Sequence, residues 1–497
     1  MGIVLRQSAK TVLITYIAFA LGYINTLFLS PLVLSKEEIG LVRVLINVSY
    51  LFATLASLGS ANIPIKFFPY FKDRELEHNG ILFFILSIGT AGFSLFVTFI
   101  LAFKPYIANI YSDKAPLLMD YFYYLIPFTL IAIYSIIFDS YIVIQQRPVV
   151  PNFIKEFLIR AFMTIWLVLL FFKMISFKLF VINIILGYAL ALIILILYIW
   201  SLGLLFLKPN FTVFKSSHFK SIIVFAGFAL IGNAGGTLIG NIDSLILSAF
   251  KGLGSTGIFT IAFFIATTIE IPKRSISQAV IPHISESNKN NEIEKLDIIY
   301  KKSSINQLII GGILFLLVWC NIDGIFHIIP HGKDFITGKW VVFWIGLSKL
   351  FDMATGVNQE IIGTSRFYKM DLAFYSLLVI IGIVTGFIFI PLYGLTGAAL
   401  SVAISTFLIN VIRFFFILFS MKIQPFSFNS IKILCIGGAA YLTDYLLPHN
   451  SSFIIDLITR SILLLIIYAT LVLLLKVSED ITIVVHKLVK KYIGKRF

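Results

Sequence analysis

Lys349, Asp352, Gly356, Gln359 and Gly363 fall at spacings of 3, 4, 3 and 4 within an apolar stretch. An uninterrupted helix would place them on one face. Ionisable groups inside a membrane are costly and need a role or a partner. Lys349 lies about 11 residues from one end of its stretch, roughly 17 Å into a core of about 30 Å, too deep to snorkel. It either lines a polar cavity or is neutralised by Asp352 at i,i+3. A second group is Glu270, Pro272, Lys273 and Arg274. Glu270 and Arg274 are spaced to pair, Lys273 stands on a different face, and Pro272 removes a backbone hydrogen bond and should kink the helix. Lys273 and Arg274 suit a phosphate, through charge-assisted hydrogen bonds, or reach an interface.

Other charges are more isolated. Arg43 and Asp243 each lie within about 10 Å of one end of their stretches. They either snorkel separately or, coming from opposite halves of the chain, form a gate. Asp243 and Asp352 are candidates to bind a coupling Na⁺ or H⁺. Glu156–Arg160 and Asp456–Arg460 read as structural i,i+4 pairs. Arg413 reads as a snorkelling residue, and Asp139 as cavity lining or a buried hydrogen-bonding group. His327 and His331 have metal-like spacing, but Pro330 interrupts them and no acid or cysteine completes a ligand set, so no metal is expected. Cys320 and Cys435 form no motif.

The elements that carry these residues are apolar helices. Of 497 residues 59% are hydrophobic, more than a soluble fold can hide. The pattern predicts an all-α integral membrane protein with about fourteen transmembrane helices. The spans are 11–33, 39–62, 81–103, 121–144, 153–173, 179–207, 221–250, 254–284, 304–325, 338–362, 372–391, 394–420, 429–447 and 452–475. The first lacks a small-residue cleavage site, so no cleaved leader is expected. The net charge is +15. With both termini cytoplasmic, inner segments hold about 24 Lys and Arg and outer ones about 7 or 8. The basic tail, 476–497, faces lipid headgroups rather than nucleic acid.

An internal repeat orders the helices. Leu21-Gly22-Tyr23-Ile24-Asn25-Thr26-Leu27-Phe28-Leu29-Ser30 aligns with Ile239-Gly240-Asn241-Ile242-Asp243-Ser244-Leu245-Ile246-Leu247-Ser248. Thr15, Ala18, Gly22 and Asn25 form a small, polar stripe, and Asn233, Gly236, Gly240 and Asp243 its counterpart. Such stripes let helices approach closely and can line a cavity. Gly187-Tyr188-Ala189-Leu190 echoes Gly397-Ala398-Ala399-Leu400, and Ile39-Gly40 echoes Thr256-Gly257. Six spans separate the repeated helices, so the halves run parallel. The expected lobes are 1–207 and 208–420, followed by two additional helices within 421–475 and the tail.

The 6+6+2 plan, the polar stripes and Tyr393-Gly394-Leu395-Thr396-Gly397-Ala398-Ala399 resemble the oligosaccharide flippases of the multidrug/oligosaccharidyl-lipid/polysaccharide exporter superfamily. The resemblance implies alternating access of two lobes, moving polyprenyl-diphosphate-linked oligosaccharides from the cytoplasmic to the outer leaflet of the bacterial inner membrane. That would serve O-antigen, capsule or exopolysaccharide biosynthesis. It implies no cofactor beyond a coupling ion, and membrane lipids, a polysaccharide polymerase and other assembly proteins as partners. On this reading Asn25, Asn233, Asp243, Lys273, Arg274, Lys349, Asp352 and Gln359 line the substrate cavity. The family places cations in helices 1, 2 and 8; here the first span has none. One alternative is a cation-coupled multidrug exporter, which usually has twelve spans and binds cationic drugs through carboxylates. A polyprenyl-dependent glycosyltransferase or polymerase fits less well, because outer loops are short and no nucleotide-binding motif is present.

The lysine asymmetry puts residues 66–79 and 285–302 on the cytoplasmic side. Single cysteines there, in a chain lacking Cys320 and Cys435, should resist an impermeant thiol reagent in intact cells and react after permeabilisation. Rapid labelling of either loop from outside would reverse the topology.

Overall fold

The computed structural model describes residues 17–145, 147, 149–447 and 453–483, except the side chains at 231, 234, 236, 239 and 240. Thr15, Gly236, Gly240 and the tail cations Lys487, Lys490, Lys491, Lys495 and Arg496 fall outside that description. The described residues contain helices and no strand. We number the long helices α1 (Ile17–Val33), α2 (Lys36–Ala56), α3 (Ile81–Ala102), α4 (Leu125–Ile144), α5 (153–171), α6 (Phe177–Ser201) and α7 (219–251). There follow α8 (253–289), α9 (Ile293–Cys320), α10 (Lys339–Ala354), α11 (368–393), α12 (395–421), α13 (Phe428–Leu446) and α14 (Phe453–Leu474). Each span expected from the sequence overlaps one of these helices.

Among the described residues eight helical stretches are long and apolar enough to cross a membrane, or nine with a bent pair counted as one span. Two of them, Asn241–Lys289 and Tyr368–Met421, run 49 and 54 residues, where about 20 suffice for one crossing. Each is interrupted at a glycine whose backbone leaves the helical region: Gly252 (φ 81°, ψ 175°) and Gly394 (φ 59°, ψ −125°). Residues with a Cβ rarely adopt such angles, so these positions turn the chain between α7 and α8 and between α11 and α12. Helix starts are locally encoded. Ser35 and Glu38 close a capping box on α2, with Glu38 N–H donating to Ser35 Oγ at 3.2 Å and Ser35 N–H to Glu38 Oε2 at 2.8 Å.

The chain divides into two compact units, Met1–Thr260 and Ile261–Phe497. These do not divide at 207/208, where the repeat does, because α7 and the start of α8 pack with the first six helices. Asn47 of α2 donates to Ser244 of α7 at 2.9 Å, and Thr54 bonds Thr237 at 3.2 Å. In the second unit, α13 and α14 pack on α9 through Leu308, Leu316, Ile436, Ala440 and Leu464, and the Tyr468 hydroxyl donates to the Ile309 carbonyl at 3.1 Å.

The glycines of the weakest repeat echo meet each other's helices. A Cβ on Gly40 would stand 2.0 Å from the Leu253 carbonyl oxygen, and one on Gly257 would stand 1.9 Å from that of Lys36. The N-terminal turns of α2 and α8 therefore cross backbone to backbone. Gly40→Ala or Gly257→Ala should each cost about 1–3 kcal/mol through overpacking. The pair should cost less than the sum, since the first shift relieves the second clash. Gly227→Ala, with open space around its Cβ, should stay within about 0.5 kcal/mol. Thermal unfolding in detergent checks the comparison.

Candidate functional site

In the second unit the charges of α8 and α10 pair crosswise. Lys349 Nζ reaches Glu270 Oε2 at 2.5 Å, and Lys273 Nζ contacts Asp352 Oδ2. The Lys349–Asp352 pair, one of the two readings of Lys349, gives way to this crossed pairing, because α8 presents an acid and a base opposite a base and an acid one turn apart. Glu270 likewise pairs with Lys349 rather than taking Arg274 as its i,i+4 partner, and Arg274 is exposed. A 3₁₀ turn, Thr268–Glu270, precedes Pro272, and the proline sits in the first turn of Ile271–Lys289, where its missing N–H costs no bond.

The polar face expected across α10 does not stay continuous. α10 stops at Ala354 and resumes as Asn358–Thr364 after a 51° bend. Asp352 remains near α8, while Gln359, beyond the bend, donates to the Tyr375 hydroxyl of α11 at 2.5 Å. Asn410 of α12, which the sequence reading passed over, bridges the break. Its Nδ2 donates to Asp352 Oδ1 at 3.1 Å, and its Oδ1 accepts from Thr355 Oγ1 at 3.1 Å and Asn358 Nδ2 at 2.8 Å. An asparagine inside an apolar span was the available signal. Arg413, three residues on, is buried at 4% exposure. It bonds Asp371 Oδ1 at 3.5 Å and lies 5.3 Å from the Tyr375 ring centroid. It does not snorkel: a carboxylate and an aromatic face on α11 replace the water it would otherwise seek.

The first unit holds a second polar locus, on α1, α2, α5 and α6. Asn25 is buried, and its amide is spent on packing. Nδ2 donates to the Arg160 carbonyl at 2.8 Å, and Oδ1 accepts from Thr164 Oγ1 at 2.8 Å. Asn25 and Glu156 both sit in π-helical turns, Ile24–Leu29 and Phe153–Leu158. Such turns widen a helix and frequently mark functional sites. The Arg160 side chain lies across Gly22, whose Cβ would meet Nε at 3.3 Å, so the small stripe of α1 is a bed for a guanidinium. Arg160 pairs with Glu156 at 3.0 Å and covers Phe19 at 5.2 Å, while Nη1 is buried with no hydrogen-bond partner. Arg160 and Arg43 both interact electrostatically with the Tyr188 hydroxyl on α6. The Tyr188 ring packs 6.1 Å from Tyr50 and 4.8 Å from Phe128.

The remaining expectations scatter. Arg43 and Asp243, from the two halves of the repeat, both belong to the first unit. Among the described residues no ion pair joins them. Asp243 is buried at 9% exposure, and Asn233 is exposed. The Glu156–Arg160 and Asp456–Arg460 pairs form as spaced, the latter at 2.9 Å with Asp444 added at 2.9 Å.

The crossed pairing changes which double substitution rescues. Lys349→Ala alone should destabilise by about 3–5 kcal/mol, since it leaves Glu270 charged and buried. Adding Glu270→Ala should recover most of that loss, and adding Asp352→Ala should deepen it. A thermal double-mutant cycle reads both. Rescue by Asp352→Ala instead would restore the intrahelical pair.

The polysaccharide biosynthesis protein family matches residues 4–288. None of the curated proteins matches the sequence. Among solved structures the fold is similar to that of lipid II flippase MurJ in an inward closed conformation. The TM-score is 0.74 at 16% identity, covering 93% of this chain and 98% of that one. It is also similar to an inward-facing multidrug resistance MATE family transporter of the MOP superfamily, with a TM-score of 0.58 at 15% identity, covering 82% and 94%. A MOP superfamily transporter from Pyrococcus furiosus gives 0.53 at 12% identity, covering 84% and 95%. With these helices, this transporter fold and the family match over more than half its length, the chain is a multi-pass membrane protein that belongs to the polysaccharide biosynthesis protein family.

Proposed function

We propose that the protein flips a polyprenyl-diphosphate-linked oligosaccharide from the cytoplasmic to the outer leaflet of a bacterial inner membrane by alternating access, for surface polysaccharide assembly. The observation that carries this reading is the cation excess of the first unit. Arg43 and Arg160 both interact with Tyr188, Glu156 is the carboxylate paired with Arg160, and among the described residues no ion pair reaches Arg43. A diphosphate offers the acceptor oxygens and negative charge that such a site lacks. The family and the flippase-like fold support the same reading. A cationic drug, the cargo of the multidrug alternative, would be repelled by this locus. In the full reading both termini are cytoplasmic, Na⁺ or H⁺ supplies the coupling, and polymerase and assembly proteins take the flipped product. The protein does no covalent chemistry on it.

The test is a flipping assay in proteoliposomes. The lipid-linked oligosaccharide is extracted from the source cells, and an impermeant glycosidase reads its sidedness. Arg43→Ala and Arg160→Ala should each lower the flipping rate at least about tenfold, the loss of one charge-assisted hydrogen bond of about 1.5–3 kcal/mol. Lysine at either position should retain part of the rate. Equal transport of the monophosphate-linked lipid, or wild-type rates in both alanine variants, would overturn the assignment.

A further inference from the structure

The turn before α3 holds a histidine in an unusual state. Glu77, His78 and Asn79 all adopt left-handed backbone conformations, with φ of 52°, 54° and 54°, and Gly80 follows at 74°. Three consecutive non-glycine residues in this region are strained, and surrounding contacts must hold them there. His78 is 4% exposed, and both ring nitrogens are buried with no hydrogen-bond partner. Its ring sits edge-on between Phe68, 5.0 Å away, and Phe206, 5.2 Å away. An imidazole so placed behaves as an apolar wedge, and it can do so only while neutral.

Phe206 belongs to residues 202–211, the linker between α6 and α7. That linker is held against the turn along its length. The Tyr141 hydroxyl of α4 donates to the Leu204 carbonyl at 3.0 Å. Lys208 pairs with Glu77 at 3.0 Å. A Cβ on Gly80 would meet Asn210 at 2.5 Å, so the two backbones lie close. His78 is the one contact in this series whose charge changes near neutral pH.

We propose that His78 is a proton-operated latch on the 202–211 linker: neutral, it seats Phe206 and holds the strained turn; protonated, it leaves the aromatic pocket and frees the linker that leads into the second repeat.

The charges around it favour release on protonation. On its own loop Lys72 and Arg74 oppose a positive imidazole and Asp73 favours it; Glu77 is engaged by Lys208, the cation the linker contributes. Tyr141, packed beyond Phe68, offers a neutral hydroxyl already donated to Leu204. Lys66, on the helix that carries Phe68, is engaged over the rings of Phe67 and Phe225. Burial first, and Lys72 next, hold His78 below its ordinary pKa of 6.5. The latched state thus binds fewer protons than the released one. It is favoured above about pH 6.5 and loses ground by up to roughly tenfold per pH unit below it.

The test uses the full chain in phosphatidylcholine nanodiscs, whose headgroups do not titrate here. Cys320 and Cys435 are replaced by alanine, and a nitroxide is attached at Leu207→Cys, an exposed linker position. Between pH 7.5 and 5.5 the mobile fraction of the spectrum should rise several-fold, up to about tenfold. His78→Phe, which keeps the wedge and removes the proton site, should stay immobile at both pH values. Phe206→Ala, which removes the seat, should be mobile at both. A mobility that ignores pH in the parent chain overturns the latch. So does an unchanged pH response in either His78→Phe or Phe206→Ala.

Discussion

A charge inside a bilayer must find its counter-charge within the protein, and this rule organises the second unit. Water is absent, so neither snorkelling nor solvation relieves a group at mid-depth. Lys349, Lys273, Arg413 and Arg460 each meet a carboxylate on the same or another helix. These pairs are poor evidence of stabilisation, since desolvating both members costs about what the attraction returns. Their effect is register. The crossed pairs fix α8 against α10 to within one turn, because a slip would set lysine against lysine and acid against acid.

The same rule applies to the backbone where α10 breaks. Four carbonyls at a helix end lose their intrahelical donors, and lipid supplies none. Here the protein supplies them: the Thr355 and Gly356 N–H groups donate to the Phe351 and Met353 carbonyls, Thr355 Oγ1 to that of Asp352 and Ser304 Oγ of α9 to that of Ala354, while Asn410 of α12 ties the side chains of Asp352, Thr355 and Asn358 together. Asp352 thus answers to Lys273 on one side and to Asn410 on the other. The charge pairing and the bend are one construction, and moving α12 would disturb both. Irregular backbone at membrane depth is tolerated where protein buries it, and this bend meets that condition.

What the sequence disclosed and what it hid follow from the range of each interaction. The helices were legible because apolar length is a local property, and so were Glu156–Arg160 and Asp456–Arg460, because an i,i+4 pair is complete within one helix. The echo of Gly40 with Gly257 was visible as similarity; that the two lie in one crossing was not. Asp352 was the one partner the spacing offered Lys349, because a single helix shows only its own neighbours. The partner Lys349 takes, Glu270, is 79 positions away, and nothing in the spacing relates the two. The reading of α10 as one face failed for a related reason. Thr355, Gly356 and Val357 look compatible with a helix, and the donors and side chains that α9 and α12 bring to the break are far off in sequence. Arg413 was misjudged because its depth was read without Asp371 and Tyr375, which lie on α11.

The two units handle positive charge differently, and this asymmetry bears on how an anion could be moved. In the second unit the cations of α8, α10, α12 and α14 named above are matched by carboxylates, so an incoming anion would have to break a pair and leave an acid bare. In the first unit Arg160 pairs with Glu156, and among the described residues no ion pair reaches Arg43. A half-buried guanidinium without a carboxylate retains an unsatisfied demand for negative charge. The π turns of α1 and α5 widen the backbone where that demand is greatest, and Gly22 clears the space over which Arg160 lies. An anion entering there would complete a charge set rather than disrupt one, and it would leave more readily than a built-in carboxylate, since it is not tethered to the chain. A site that must load on one side of a membrane and unload on the other needs both properties.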